Sequence, residues 1–434
     1  MAQSRPAAGS AYGTVSESIS TRRAFLRKSV LATGSALASG AFGAGAARAA
    51  DDNLPPNTPK WMKEQGRPLK SPPYGLPSAF EKEVIRRGRN DEVLPGIGTS
   101  MTPLARLRGV ITPNGLVFER HHAGVPDINP DEHRLLVHGL VKEPMIYSME
   151  DLMRFPSVSR IHFLECSGNT SREWRQPSMP TVQLTHGLLS CCEWTGVLLS
   201  TILDEVGLRP GAKWVLAEGA DAAAMTRSIP VEKALEDAML VYAQNGEALR
   251  PEQGYPLRLL LPGFEGNMSI KWLRRLKVGA EPFMTREETS KYTDSMPDGN
   301  ARQFTFLMEA KSVITYPAPE HKLKHKGYCE ITGLAWSGRG RIARVDVSTD
   351  GGRSWREAAL QEPVLNRALA RFRLPWQWDG SAALLQSRAI DETGYVQPTR
   401  GQLVGLRGVN NQYHYNAIQT WQLAASGEVQ NVHA

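Results

Sequence analysis

The stretch HFLECSGNTSREW, residues 162–174, sets Cys166 between strand-like residues and a Ser-Gly-Asn turn. A cysteine so placed can be half of a disulfide, a buried thiol, a nucleophile or a metal thiolate. A turn at Gly168 and Asn169 leaves the sulfur facing a cavity, with backbone N–H groups near enough to stabilise a thiolate. A nucleophile would want a histidine partner. His162 shares the face of Cys166 by alternation but lies about two repeats away, beyond a thiol–imidazole pair without bending. The remaining cysteines are Cys191, Cys192 and Cys329. The adjacent pair precedes EWTG and the last lies in a strand-like run; all three read as buried thiols, with a redox role as the alternative for the adjacent pair. Four scattered cysteines in 434 residues do not form a disulfide framework. There is no C-x-x-C pair for a zinc ribbon or iron–sulfur cluster, and no C-x-x-C-H for covalent haem.

The elements that must position such a sulfur are legible as patterns. RLLVHGLV, SRIHFLEC, KWVLAEGA and YPLRLLLPG read as strands, and TGVLLSTILDEVGL has the apolar spacing of an amphipathic helix closed by Gly207. Strands and helices alternate irregularly over 101–310, and no G-x-G-x-x-G follows a strand. From 311 the pattern changes to alternating apolar residues punctuated by turns, as in KGYCEITGLAWSG and RIARVDVSTDGGRSWREAAL. The DGG between VDVST and RSW is a hairpin signal. The fold class is α+β: a mixed α/β domain over 101–310, then an immunoglobulin-like β-sandwich over 311–434. Trp336, Trp355, Trp376 and Trp378 read as sandwich packing or an interface. Residues 50–100, rich in proline, read as an extended arm over the body.

Charge points to export rather than to nucleic acid. The first 49 residues supply +5 of the formal net charge of +7, which leaves no basic face for a polynucleotide. Their twin arginine, Arg22 and Arg23, is followed by Phe25, Leu26 and Lys28, a Gly/Ala-rich apolar run and an A-x-A site. Residues 1–49 read as a Tat signal peptide, so the expected destination is the periplasm, reached in the folded state. No other stretch is long and apolar enough to span a bilayer.

Several motifs in order resemble one family. HFLECSGN, VYAQNGEALRPEQGYPLRLLLPGFEGNMSIKWL and RVDVSTDGGRSW are similar to the sulfite oxidase family of molybdenum enzymes. The arm PPYGLPS, the FERHH segment and the ending YHYNAIQTW resemble its sulfane dehydrogenase branch. The resemblance implies a molybdenum–molybdopterin cofactor, with Cys166 as the one protein ligand to the metal. Soft sulfur suits a metal that is reduced in turnover. It implies Arg120 as the holder of anionic substrate oxygens, Tyr292 as a pocket phenol, and Arg407 brought to that pocket from the sandwich. It implies cofactor contacts from His122, Arg258, Ser269, Lys271 and Asn169, with Arg227 near a lining segment. His121, beside His122, reads as an exposed histidine, with lining the mouth as the alternative. Oxygen would come from water and electrons would leave one at a time. With no haem in this chain, a c-type cytochrome partner is expected, and the chain itself is expected as a homodimer or within a heterotetramer.

Departures from the family narrow the substrate. Where sulfite oxidases carry an arginine five residues after the ligand cysteine, this chain has Ser171, with Arg172 next door. A pocket tryptophan aligns near Leu184, and a cofactor-contacting histidine aligns with Gln253. Each charge-assisted hydrogen bond lost is worth about 1.5–3 kcal/mol. A wider, less cationic mouth suits sulfane sulfur on the cysteine of a carrier protein better than free sulfite. Sulfite dehydrogenation is the near alternative, and a non-catalytic periplasmic binding protein the distant one.

Overall fold

The computed structural model describes residues 58–66, 78–90, 94 and 96–433. The expected signal peptide and the PPYGLPS part of the arm lie outside the described residues. The described parts of the arm rest on the body. Gly66 N–H donates to the Ala123 carbonyl at 2.9 Å, and Met62 packs with Val125, Ile128 and Trp272. Arg87–Asn90 pairs with Gly98–Met101, which pairs with Glu119–His121.

Two further sheets build the first domain. In one, Ser157–Glu165 is an edge strand paired antiparallel with Leu189–Leu198, which continues to Met239–Gln244. In the other, Leu135–Gly139 runs parallel to Leu273–Gly279, while Trp214–Gly219 and Thr226–Pro230 add antiparallel. The helix Leu199–Val206 buries Leu199, Ile202, Leu203 and Val206, the i, i+3, i+4, i+7 stripe of an amphipathic helix. It starts four residues later than its apolar pattern suggests. The first four, TGVL, complete the strand, because Gly196 pairs so closely with the next strand that a Cβ would lie 2.1 Å from the Leu240 carbonyl oxygen.

The second domain is one eight-stranded sheet, opening with Lys311–Tyr316 and folded back on itself. Ser312 and Ser387 hydroxyls meet across the fold at 2.8 Å. The hairpin expected at DGG is present: Ile342–Ser348 pairs with Arg356–Gln361, and Gly351 and Gly352 take φ of 76° and 86°. Trp336 and Trp378 are buried, whereas Trp355 stacks under Arg388. Sandwich and first domain share a core in which Phe163, Leu189 and Cys191 join Val313, Leu334 and Trp336.

Period-two alternation sorts the paired strands into two faces. Cys191 packs toward the sandwich while its neighbour Cys192 packs with Leu164 and Trp194 on the opposite side. Adjacent in sequence, the two thiols sit in different cores, and both are pushed up by burial, Cys191 to about 12.

At one point the domains touch through backbone alone. A Cβ on Gly263, whose φ is +79°, would lie 2.4 Å from the Gly338 carbonyl oxygen. Gly263→Ala is expected to cost about 3 kcal/mol through clash and backbone strain together. Gly211→Ala, at φ +87° with no atom within 4 Å, is expected to cost about 1 kcal/mol from strain alone. Denaturant titration of the two variants measures the difference, and equal costs would remove the close approach as the reason for Gly263.

Candidate cofactor and substrate site

A cavity opens where Ser157–Glu165 ends. Its wall takes Leu164 and Cys166 from that strand end, and Arg120, His121 and His122 from the strand Glu119–His121 and its exit. The turns around Gln253 and Gly266 bring Gln253, Asn267, Ser269 and Lys271, the strand Arg258–Leu260 brings Arg258, and Tyr292 closes the set. Of the residues expected to act here, the cavity thus gathers Cys166, Arg120, Tyr292, His122, Arg258, Ser269 and Lys271.

Cys166 is fixed through its backbone. Its N–H donates to the Leu188 carbonyl at 3.0 Å and its carbonyl accepts from Asn169 N–H at 2.9 Å. Burial pushes the thiol up, and a hydrogen bond from Gly168 works against that. His162 is engaged elsewhere, its Nδ1 lying 3.3 Å from the Arg367 carbonyl oxygen, and it does not line the cavity.

The cations are concentrated. Arg120, Arg258 and Lys271 share the wall with two histidines, and Asp221 is the one acidic residue among those lining it. Lys271 Nζ donates to the Arg120 carbonyl at 3.1 Å and to His121 Nδ1 at 2.8 Å. Burial first, then repulsion from Arg258, brings Lys271 down to about 7. Arg258 Nη1 donates to the Gln253 carbonyl at 3.0 Å, while its buried Nε has no partner among the described residues. Burial lowers His122 to about 3, aided by Arg120, so the ring is neutral. Its Nε2 lies 3.2 Å from the Tyr292 hydroxyl. Burial raises the Tyr292 phenol, with Cys166 next in effect, so it keeps its proton and can donate. Tyr292 has a left-handed backbone, φ 40°, with Arg227 over its ring at 5.2 Å.

Three expectations are corrected. Arg407 does not line the cavity. It is 2% exposed and bonds Asp294 Oδ2 at 3.4 Å and Glu309 Oε2 at 3.1 Å, because a buried guanidinium requires counter-charge. Its link to the pocket is indirect, through the segment that carries Tyr292. Asn169 is also off the wall: its amide donates to Glu165 and the His186 carbonyl and accepts from Leu188 N–H, so it braces the turn. His121 is buried rather than exposed, stacked on Trp272 at 5.9 Å. Arg227, fully buried, pairs with Glu265 at 3.2 Å behind the pocket.

Sequence reasoning passed over Asp221, Asn267 and Trp272; the last two lie in the GNMSIKWL motif beside Ser269 and Lys271, whereas Asp221 has no motif of its own. Ser171, Arg172 and Leu184 are absent from the wall, Arg172 being exposed. Gln253 stands in it, its Nε2 donating to the Phe118 carbonyl at 3.0 Å.

Buried Arg258, with an orphaned guanidinium nitrogen, beside half-buried Arg120 and Lys271, the lysine strongly depressed, is a costly cluster unless an anion lies among them. A pterin phosphate is such an anion. Among the described residues no group of three or more His, Cys, Asp or Glu side chains converges as a metal site. A metal at Cys166 must therefore bring other ligands with it, as a pterin dithiolene does. The residues fit the group.

Comparison with known proteins agrees with this geometry. Residues 122–287 match the oxidoreductase molybdopterin binding domain, and residues 302–421 match the Mo-co oxidoreductase dimerisation domain. The class is thus a molybdenum-cofactor oxidoreductase. Chicken sulfite oxidase is 32% identical over 330 residues, 69% of this chain and 71% of its own length. Mouse mitochondrial sulfite oxidase is 32% identical over 339 residues, 72% of this chain, and the match spans 62% of the mouse protein. The crystal structure of the sulfane dehydrogenase SoxCD from Paracoccus pantotrophus aligns with TM-score 0.81 and 48% identity, covering 90% of this chain and 100% of that one. The chain belongs to the sulfite oxidase family of molybdenum enzymes.

Proposed function

We propose that this chain is the molybdenum-bearing subunit of a periplasmic sulfane dehydrogenase. It oxidises sulfane sulfur held on the cysteine of a carrier protein, draws oxygen from water, and passes electrons to a c-type cytochrome subunit. The observation that carries the reading is the cation-lined cavity with a single thiol, Cys166, at its wall. The likeness to SoxCD over the whole of that chain supports the choice of substrate. Export through the Tat route and the periplasmic setting rest on Arg22 and Arg23 with their flanking residues. Assembly as a homodimer or heterotetramer is supported by the match to the dimerisation domain.

Molybdenum held by the pterin would supply two-electron oxidation at sulfur, with water as the oxygen source. Cys166 would be its protein ligand. Arg258, Lys271 and Ser269 would hold the cofactor's phosphate, with His121 behind Lys271 and His122 toward the pterin. Arg120 Nη1 donates to the His121 carbonyl, but the guanidinium makes no ion pair with a carboxylate among the described residues, so its remaining donors would meet anionic oxygens on the substrate. The protonated Tyr292 hydroxyl donates a hydrogen bond toward the reacting group, and His122 orients it. Arg407 steadies the Tyr292 segment through Asp294.

Neither Ser171 nor Leu184 lines the cavity, which favours a sulfur carried on a protein arm over a small dianion. With the cytochrome as acceptor, kcat/KM for carrier-bound sulfane is expected to exceed that for free sulfite by about tenfold or more, the loss of one charge-assisted contact to the small dianion. Thiosulfate alone is expected to be inert. Sulfite turning over faster than the carrier-bound sulfur would make the protein a sulfite dehydrogenase. Exported protein with neither molybdenum nor pterin would leave only the binding-protein alternative.

A further inference from the structure

Glu165, which precedes Cys166, has no role in the cavity. Alternation along the strand puts Leu164 and Cys166 on the cavity side and Phe163 and Glu165 on the side packed against the sandwich. Glu165 is completely buried, and its carboxylate accepts three hydrogen bonds. Lys311 Nζ donates at 2.9 Å, Trp336 Nε1 at 2.6 Å and Asn169 Nδ2 at 2.9 Å. Two of these donors belong to the sandwich domain. Lys311, itself 1% exposed, reaches further and donates to Thr170 Oγ1 at 2.8 Å. Thr170 in turn donates to the Tyr415 carbonyl at 2.9 Å. The same lysine thus grips both ends of the turn 165–170 that carries Cys166.

We infer that Lys311 is a positioning residue for Cys166: the sandwich clamps the cysteine turn from behind through the buried Lys311–Glu165–Thr170 network. The inference rests on the reading of Cys166 as the metal's ligand. A buried ion pair is an inefficient way to hold two domains together, since apolar residues of like volume do so at least as well. What it adds is a defined geometry. Thr170 needs such a hold, for its φ of 61° lies in the left-handed region that a β-branched residue avoids. The neighbouring His414 N–H grips Ser167 at 2.9 Å, so the sandwich contacts the turn along its length.

The test uses full-length protein produced without cofactor and reads alkylation of the four cysteines by iodoacetamide. In Lys311→Met, Cys166 is expected to react about tenfold faster or slower than in the parent, as the turn leaves its set position, while Cys191, Cys192 and Cys329 stay protected. The Glu165→Gln/Lys311→Gln double variant, which keeps hydrogen-bonding partners without charge, is expected to return Cys166 to within about threefold of the parent. Should Lys311→Met fail to fold, Thr170→Ala and Thr170→Ser decide. The alanine variant loses the hydroxyl that Lys311 holds and shifts the Cys166 rate, and the serine variant keeps both. In loaded protein, the sulfur-to-metal charge-transfer band of Lys311→Met or Thr170→Ala is expected to shift. Parent-like alkylation of Cys166 in folded Lys311→Met, or in both Thr170 variants, would overturn the inference. A parent protein without the charge-transfer band would instead overturn the metal reading and leave the alkylation result standing.

Discussion

Cys166→Ser is expected to keep the fold and lose the chemistry. The backbone bonds that shape the turn, from Cys166 N–H to Leu188 and from Asn169 N–H to the Cys166 carbonyl, do not involve the sulfur. The side chain is only partly buried, bordering the cavity as well as packing beside Leu164, so exchanging sulfur for oxygen leaves little void. The thermal midpoint is expected to move by no more than about 2 °C. A hydroxyl cannot replace a soft thiolate, because it does not ionise near neutral pH and donates little density to a reduced metal. With Cys166 as the proposed protein ligand of the metal, its loss should cost more than about a hundredfold in turnover, the upper range for changes outside the ligand set. The sulfur-to-metal charge-transfer band should vanish. A variant that binds molybdenum and turns over like the parent would show that the ligand is another group. Cys191→Ser provides the contrast. It puts a hydroxyl in a core with 0% exposure, so stability should fall while the band and the rate per loaded molecule are unchanged.

The strand ahead of Cys166 was legible because alternation is local: every second residue of SRIHFLEC shares a face, and the Ser-Gly-Asn turn must follow. The sandwich was legible for the same reason, along with its DGG hairpin. Where one apolar run served two elements, periodicity misplaced the boundary. TGVL fits a helical stripe as well as a strand, and what decides is Gly196, whose pairing with Val241 and close approach to the Leu240 carbonyl cannot be seen in the sequence. Charge partners were less legible still. Arg407 appears in the sequence as a cation in GLRGVN, and only the fold shows that Asp294 and Glu309 occupy it. Asn169 looked free because its partners, the His186 carbonyl and Leu188 N–H, lie on a different segment. The family motifs marked the cavity's residues, yet the network behind it, Lys311 to Glu165 to Thr170, spans 146 residues of chain and leaves no local pattern.

Lys271 should report an anion bound beside it through pH. In the cofactor-free protein, burial and Arg258 hold its ammonium down to about 7, from an ordinary value of 10.5. Between these values the unfolded chain carries a proton that the folded chain has released. Stability therefore rises with pH above about 7, by at most about 1.4 kcal/mol per unit from this one group. Below 7 both states are protonated, the slope from this lysine disappears and the full penalty of the buried charge remains. Lys233 and Lys311 are also lowered by burial and add slopes of the same sign. Cys191 and Cys192, raised by burial, oppose them once unfolded thiols ionise, so the clean window is about pH 7 to 8.5. Within it, the difference in slope between parent and Lys271→Met isolates this residue. The parent is expected to gain stability across the window and the variant to gain less. Loading the cofactor should flatten the parent's slope, because a phosphate beside Lys271 restores the charged form. The same variant should load molybdenum poorly, having lost a cation from the phosphate cradle. Denaturant titrations at three pH values, with and without cofactor, make the comparison. A Lys271 contribution that persists unchanged in loaded protein would place the anion elsewhere.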